Sequence, residues 1–209
     1  MLLKKIVMDL LTIDPNGIVA ADTGDLTSAG LTLILTKPPA GHAQQFAFVA
    51  SGDISSVNFA VVGKDADGRA QTETVTGVTT SPVETTKYYS EITSITPDAT
   101  LGAETLDVGF VDEMVSATIK LDPELAFYIR YDETGTLETD VQLLMEDPGI
   151  STDQEAMGWQ LYDSQLDDIL ATERFAIGPG YTAARVKVNS FTAVAQAVAR
   201  IVQGGNQIP

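Results

Sequence analysis

Cysteine is absent from the 209 residues, so neither a disulfide nor a thiolate metal site can hold this chain together. Histidine occurs once, at His42 beside Pro38-Pro39-Ala40-Gly41, which excludes zinc centres built from several imidazoles. A Ser-His-Asp triad would have His42 as its single possible base, and no Gly-x-Ser-x-Gly elbow accompanies it. Tryptophan also occurs once, at Trp159, too few for the aromatic platforms of a sugar-cleaving cleft. Positive charge is scarce: 12 Lys and Arg stand against 29 Asp and Glu, a formal net charge of −17. Such a surface repels phosphate backbones and anionic membranes, so the sequence implies no nucleic-acid partner and no membrane partner. With so many carboxylates, finding two of them close together carries no information about glycosidase chemistry. No apolar run approaches the ~20 residues of a spanning helix. The apolar stretch after Lys4-Lys5 is short, is broken by Asp9 and lacks a small-residue cleavage site, so a secretion signal is not expected. No glycine-rich phosphate loop appears either, and no cofactor is implied.

What the chain does have is strand chemistry. An apolar fraction of 44% with 20% charged residues describes a folded chain. Its centre is Val57–Val111. There Val57–Gly63 and Ala70–Thr76 flank a polar tip with Asp67-Gly68, residues that tolerate the positive φ of a tight reversal. Alternation puts Val57, Phe59 and Val61 on one face of the first arm and Asn58, Ala60 and Val62 on the other. On the second arm Thr72, Thr74 and Thr76 oppose Gln71, Glu73 and Val75. Asp65-Ala66-Asp67-Gly68 also resembles the opening of a calcium loop, but the closing position of a loop begun at Asp65 is Thr76, which brings no carboxylate. A second paired unit is expected from Thr85–Thr96 and Glu104–Val111.

Further strands are expected at Leu31–Thr36, ended by Pro38-Pro39, and at Gln45–Ala50. After Asp112-Glu113 the pattern starts again, with Val115–Leu121, Leu125–Tyr131 and Thr139–Met145 separated by Asp122-Pro123 and Glu133-Thr134-Gly135. Tyr162, Leu166, Ile169 and Leu170 fall at helical spacing and allow one short helix. Beyond Gly178-Pro179-Gly180, Tyr181–Asn189 and Val194–Val202 read as a closing pair of strands. Short strands, many turns and at most one or two short helices predict an all-β chain of two sandwich-like or barrel-like modules. The expected divisions are an N-terminal arm or edge strand at 1–13, modules at 14–112 and 113–205, and a frayed tail at 206–209.

The run Val61-Val-Gly-Lys-Asp-Ala-Asp-Gly-Arg-Ala-Gln-Thr-Glu-Thr-Val-Thr-Gly77, followed by Thr85-Thr-Lys-Tyr-Tyr and Ile92-Thr-Ser-Ile, resembles a group of tailed-bacteriophage virion structural proteins. In that group a V-x-G-x-D-x-x-G-x-x-x-x-E-x-x-x-G hairpin precedes a T-x-x-Y/F-x-x-V/I-x-S-I/V strand. Tyr181-Thr-Ala-Ala-Arg-Val-Lys-Val-Asn-Ser-Phe-Thr192 and the later Gln203-Gly204 are similar to its closing strands. The likeness spans most of Val57–Gly205 and leaves the N-terminal arm and Thr152–Phe175 without a counterpart. It implies a non-enzymatic capsid decoration or cement protein, with the major capsid protein and its own copies, as a homotrimer, for partners. It further implies a place on the outer surface of the capsid. A tail or head-to-tail connector component is the alternative, as is a glycan- or receptor-binding fibre module using Trp159 or Tyr162. An apolar N-terminus without targeting logic makes Met1, Leu2, Leu3, Ile6, Val7, Leu10 and Leu11 the candidate interface residues.

Overall fold

A computed structural model describes residues 2–10, 14, 16–22, 24, 26, 29–77, 79, 81–149, 155–161 and 173–204. The chain is all-β, with no helix among these residues. Its first strands are β1 (Leu2–Leu10), β2 (Val19–Asp22), β3 (Ala43–Ala50), β4 (Asn58–Lys64), β5 (Ala70–Thr76), β6 (Val83–Glu84) and β7 (Glu91–Pro97). Then follow β8 (Leu106–Val115), β9 (Ile119–Lys120), β10 (Phe127–Leu144), β11 (Gln160–Leu161), β12 (Glu173–Ile177) and β13 (Ala183–Gln203). The chain divides into two compact units, Ile13–Met114 and a second made of Met1–Thr12 with Val115–Pro209.

In the N-terminal unit two antiparallel sheets face each other. One is the three-stranded sheet β5-β4-β7 with β4 in the middle, and the other carries β2, β8, β3 and β6. Alternation on β4 turns Phe59 and Val61 inward, where they meet Phe46 and Phe48 of β3 and Leu106, Val108 and Phe110 of β8. The Phe48 and Phe59 rings bridge the sheets at 5.0 Å between centroids, and Phe46 meets Tyr89 at 5.4 Å. Fully burying rings of this size contributes about 1.5–3 kcal/mol each, which makes this layer the main source of the unit's cohesion.

Two expectations fail here. Leu31–Thr36 is not a strand. Its amides and carbonyls make isolated bonds along the β7 edge, Leu31 N to Ile95 O and Ile92 N to Thr36 O, and the segment leaves Ile34 exposed. Thr85–Thr96 and Glu104–Val111 do not pair with each other either. β7 pairs with β4, while β8 pairs with β2, because the chain crosses from one sheet to the other between residues 98 and 105.

The C-terminal unit is built on β13. Over its last nine residues β13 is flanked by β1 on one side, with Leu2 opposite Gln203 and Leu10 opposite Ala195, and by β10 on the other. Its first residues pair with β9, and β10 carries β11 and β12 on its far side. The expected turn at Glu133-Thr134-Gly135 is a bulge inside one 18-residue strand. Gly135 takes φ +96° there and lies against Ala195, so the glycine kinks a continuing strand instead of reversing it. Likewise Tyr181–Asn189 and Val194–Val202 are not a pair. They are consecutive parts of the 21-residue β13, and both find their partner in β10. Asp112-Glu113 lies within β8, and the boundary between the two units falls at Met114/Val115, where that strand ends. The expected helix through Tyr162, Leu166, Ile169 and Leu170 lies outside the described residues.

Candidate functional site

Each fixed position of the central hairpin motif has a structural task. The Asp67 and Arg69 amides donate to Asp65 Oδ1 at 2.9 and 2.8 Å, closing the tip, while Gly68 takes φ +78°. Gly63 sits at the bulge facing β7, where a Cβ would come within 2.2 Å of the Glu91 carbonyl oxygen. Gly77 is equally confined, 2.1 Å from the Ile54 carbonyl oxygen. Glu73 turns inward from β5 and accepts from the Thr86 amide and hydroxyl at 2.7 and 2.8 Å and from Tyr89 Oη at 3.4 Å. The Glu of the first motif and the Thr and Tyr of the second thus form one polar clasp between β5 and the segment leading to β7.

The closing motif is used in the same way. The Thr182 hydroxyl donates to the Leu144 and Glu146 carbonyls. Gln203 Nε2 donates to the Asp122 and Leu125 carbonyls, and its Oε1 accepts from the Asp122 amide. Arg185, only 4% exposed, makes a two-pronged pair with Glu155 at 2.8 and 3.0 Å and donates to Gln142 Oε1 at 2.7 Å. Its guanidinium lies 4.3 Å from the centre of the Trp159 ring. Trp159 also packs against Leu144, Met157 and Ala183. One ring face is therefore occupied by an arginine and is no open platform for a sugar. Tyr162 lies outside the described residues.

Arg185→Met is expected to lower stability by about 2 kcal/mol, because a nearly buried set of charge-assisted bonds disappears. The emission of Trp159 should move to longer wavelength, and since the chain holds a single tryptophan the spectrum reads this site alone. Unchanged emission would show that the guanidinium does not seat the ring.

The seven apolar N-terminal residues do not form one surface. On β1 the side chains of Ile6 and Leu10 point, with Met8, to the face shared with Ala195, Ala197 and Ala199 of β13, and all three are buried. Leu3 and Val7 point to the opposite face, where Leu3 is 61% exposed and Val7 half-buried. Met1, Leu11 and the side chain of Leu2 lie outside what is described. Ile6 and Leu10 are thus core residues of this unit, and of the described positions Leu3 is the one that remains exposed for contact.

On the solvent side of the same sheet Asp132 lies between Arg130, 2.9 Å away, and Arg200. Hydrogen bonds first from Arg130 and then from Arg200 hold its carboxyl below the usual range. One residue on, Glu133 faces the packed side. Desolvation raises its carboxyl, and its Oε2 has no hydrogen-bond partner among the described residues. Alternation along one strand gives two neighbouring carboxyls opposite environments.

The residues that reactive chemistry would draw on, His42 with a serine such as Ser51 or the Asp65 loop with Thr76, do not converge. Ser51 Oγ donates to Glu104 Oε2 at 2.7 Å and accepts from the Thr105 amide, which commits it to a loop clasp. His42 is half-buried in the turn before β3. Thr76 pairs with Asn58 at the end of the hairpin away from Asp65, so it cannot close a cation loop at the tip. Asp65 itself is buried, with its carboxyl raised chiefly by desolvation, and its Oδ2 has no hydrogen-bond partner among the described residues. Among the described residues no three His, Asp or Glu side chains gather where a metal ion could be held.

No family model and no curated protein matches the chain. The feature that alternation alone implied and sequence reasoning did not single out is the outer face of the β5-β4-β7 sheet. Thr72, Thr74 and Thr76 share it with Ala60 and Val62, and all five are exposed.

Proposed function

We propose that this chain is a non-enzymatic virion structural protein, a decoration or cement protein seated on the outside of a tailed-phage capsid. In this role it binds the major capsid protein and its own copies, as a trimer. The observation that carries the proposal is the resemblance of residues 61–95 and 181–204 to that group, together with the role of the matching residues. Gly63, Asp65, Gly68, Glu73, Gly77, Thr86 and Tyr89 all hold a sheet module in shape. A motif made of folding residues is what proteins with a common module and adhesive surfaces would share. The net charge of −17 suits a position outside the shell, away from packaged DNA.

The test is a density map of intact particles assembled with and without this chain. Extra density on the outer shell that vanishes in its absence is the expected result. Density at the tail or the head-to-tail junction would replace the outer-shell position with a connector role. Particles that lack the chain altogether would end the proposal.

A further inference from the structure

In a chain with 41 Lys, Arg, Asp and Glu residues, summed from 12 basic and 29 acidic, the outer face of the β5-β4-β7 sheet is free of charge along its centre. Pairing register sets Thr74, Ala60 and Thr96 in one row across the sheet and Thr72, Val62 and Ser94 in the next. A third row holds Thr76, whose hydroxyl donates to Asn58 Oδ1 at 3.0 Å. Charges return at the two ends of the face and at Lys87 on its β5 edge. Lys64 is paired with Glu91 at 3.1 Å at one end, and Asp98 accepts from Asn58 at the other.

One edge of this sheet is covered and the other carries a lysine. Residues 31–36 bond to the β7 edge, and Lys87 Nζ donates to the Thr72 carbonyl on the β5 side. Edge-to-edge pairing is thereby discouraged and the broad face is left as the contact surface. Ile34 and Leu35, both exposed, belong to the segment that runs along the β7 edge.

We infer that a second copy of this chain docks on this face, sheet against sheet. This rests on the self-association proposed above and names a two-fold contact between copies, separate from the three-fold contact of the trimer. Three properties select another copy over a different partner. A hydroxyl both donates and accepts, so a threonine surface can face its own image without placing donor on donor, whereas a charged surface cannot. Two bodies that each carry −17 repel wherever acidic surfaces meet, so their favourable approach is through a neutral face. Thr, Ser, Ala and Val also lose little side-chain freedom on burial. The end charges fix the arrangement. Antiparallel stacking brings the Lys64 end of one copy over the Asp98 end of the other, while parallel stacking would set like on like.

The absence of cysteine makes a direct test available. Ala60 stands at the centre of the face and is exposed, so Ala60→Cys should give a disulfide-linked dimer under mild oxidation. The rate should be roughly ten-fold above that of Val194→Cys, a 69% exposed position on the other unit, at equal protein concentration. Sedimentation of the unmodified chain should show association that strengthens with salt, as screening removes the repulsion between acidic copies. Ala60→Glu should abolish that association while leaving the unfolding midpoint unchanged.

Equal crosslinking rates at positions 60 and 194, or association undiminished in Ala60→Glu, would overturn the inference. So would a chain that stays monomeric at every salt concentration while Ala60→Glu loses its place on particles, because the face would then bind a different protein. If crosslinking fails and particle occupancy is intact, the virion role stands and this docking surface does not. If crosslinking succeeds on a chain that never enters particles, the docking surface stands and the virion role does not.

Discussion

Removing Leu2–Leu10 is expected to abolish cooperative unfolding of the C-terminal unit, beyond any effect on assembly. The strand pairs with β13 along its whole length, and Ile6, Met8 and Leu10 are buried. Each such side chain contributes about 1.5–3 kcal/mol, so the deletion removes several kcal/mol from a unit whose total stability is on the order of 5–15 kcal/mol. It also leaves one edge of the C-terminal half of β13 bare. Hydrogen exchange is the direct measurement: amides of residues 195–203 should lose protection in the deletion, while those of Phe59–Val61 keep it. Leu3→Ser is the contrasting variant. Its side chain is 61% exposed, so stability should change by less than about 0.5 kcal/mol. A deletion that loses particle or subunit binding while β13 stays protected would restore the view of this segment as a mere arm.

Gly63→Ala and Gly77→Ala are expected to destabilise the N-terminal unit by about 3 kcal/mol each, and Gly68→Ala by only about 1 kcal/mol. The two groups need glycine for different reasons. At Gly63 the added methyl carbon would stand 2.2 Å from the Glu91 carbonyl oxygen and 2.8 Å from the Tyr89 ring. At Gly77 it would stand 2.1 Å from the Ile54 carbonyl oxygen and 3.0 Å from that of Val57. These neighbours are backbone or buried ring and have nowhere to move, so the sheet itself must separate. Gly68 has nothing within 4 Å of such a carbon, and its φ of +78° is what disfavours alanine. Urea midpoints with unchanged slope would rank the three. A Gly68→Ala variant weaker than both others would show that turn conformation, and not close approach, is what the motif protects.

The central hairpin was legible because everything that specifies it is local. Asp67-Gly68 gives the reversal, and alternation over seven residues on each side gives the faces that Phe59 and Val61 bury. The all-β class followed from the same signals repeated along the chain. The long strands were misread because a bulge and a turn use the same chemistry. Gly135 at φ +96° is compatible with either, and only the continuing register with β13 shows that the strand goes on. Arg185 within Ala183–Val188 was a visible oddity, a charge in an apolar strand, but its partners Glu155 and Trp159 are chosen by the fold.

Short-range order, then, belongs to the sequence: strand character, the Asp65–Arg69 tip, the lack of any thiol or second imidazole, and a strongly acidic surface are fixed by residue type and spacing. Tertiary structure alone decided which strands became partners. It set Leu2–Leu10 against residues 195–203, sent β7 and β8 to different sheets, and turned Ile6 and Leu10 from candidate contacts into core. The physical reason is that strand pairing joins residues far apart in the chain through backbone groups common to every residue. Side-chain pattern can say that a segment will pair, and burial of its apolar face against one particular neighbour settles with which.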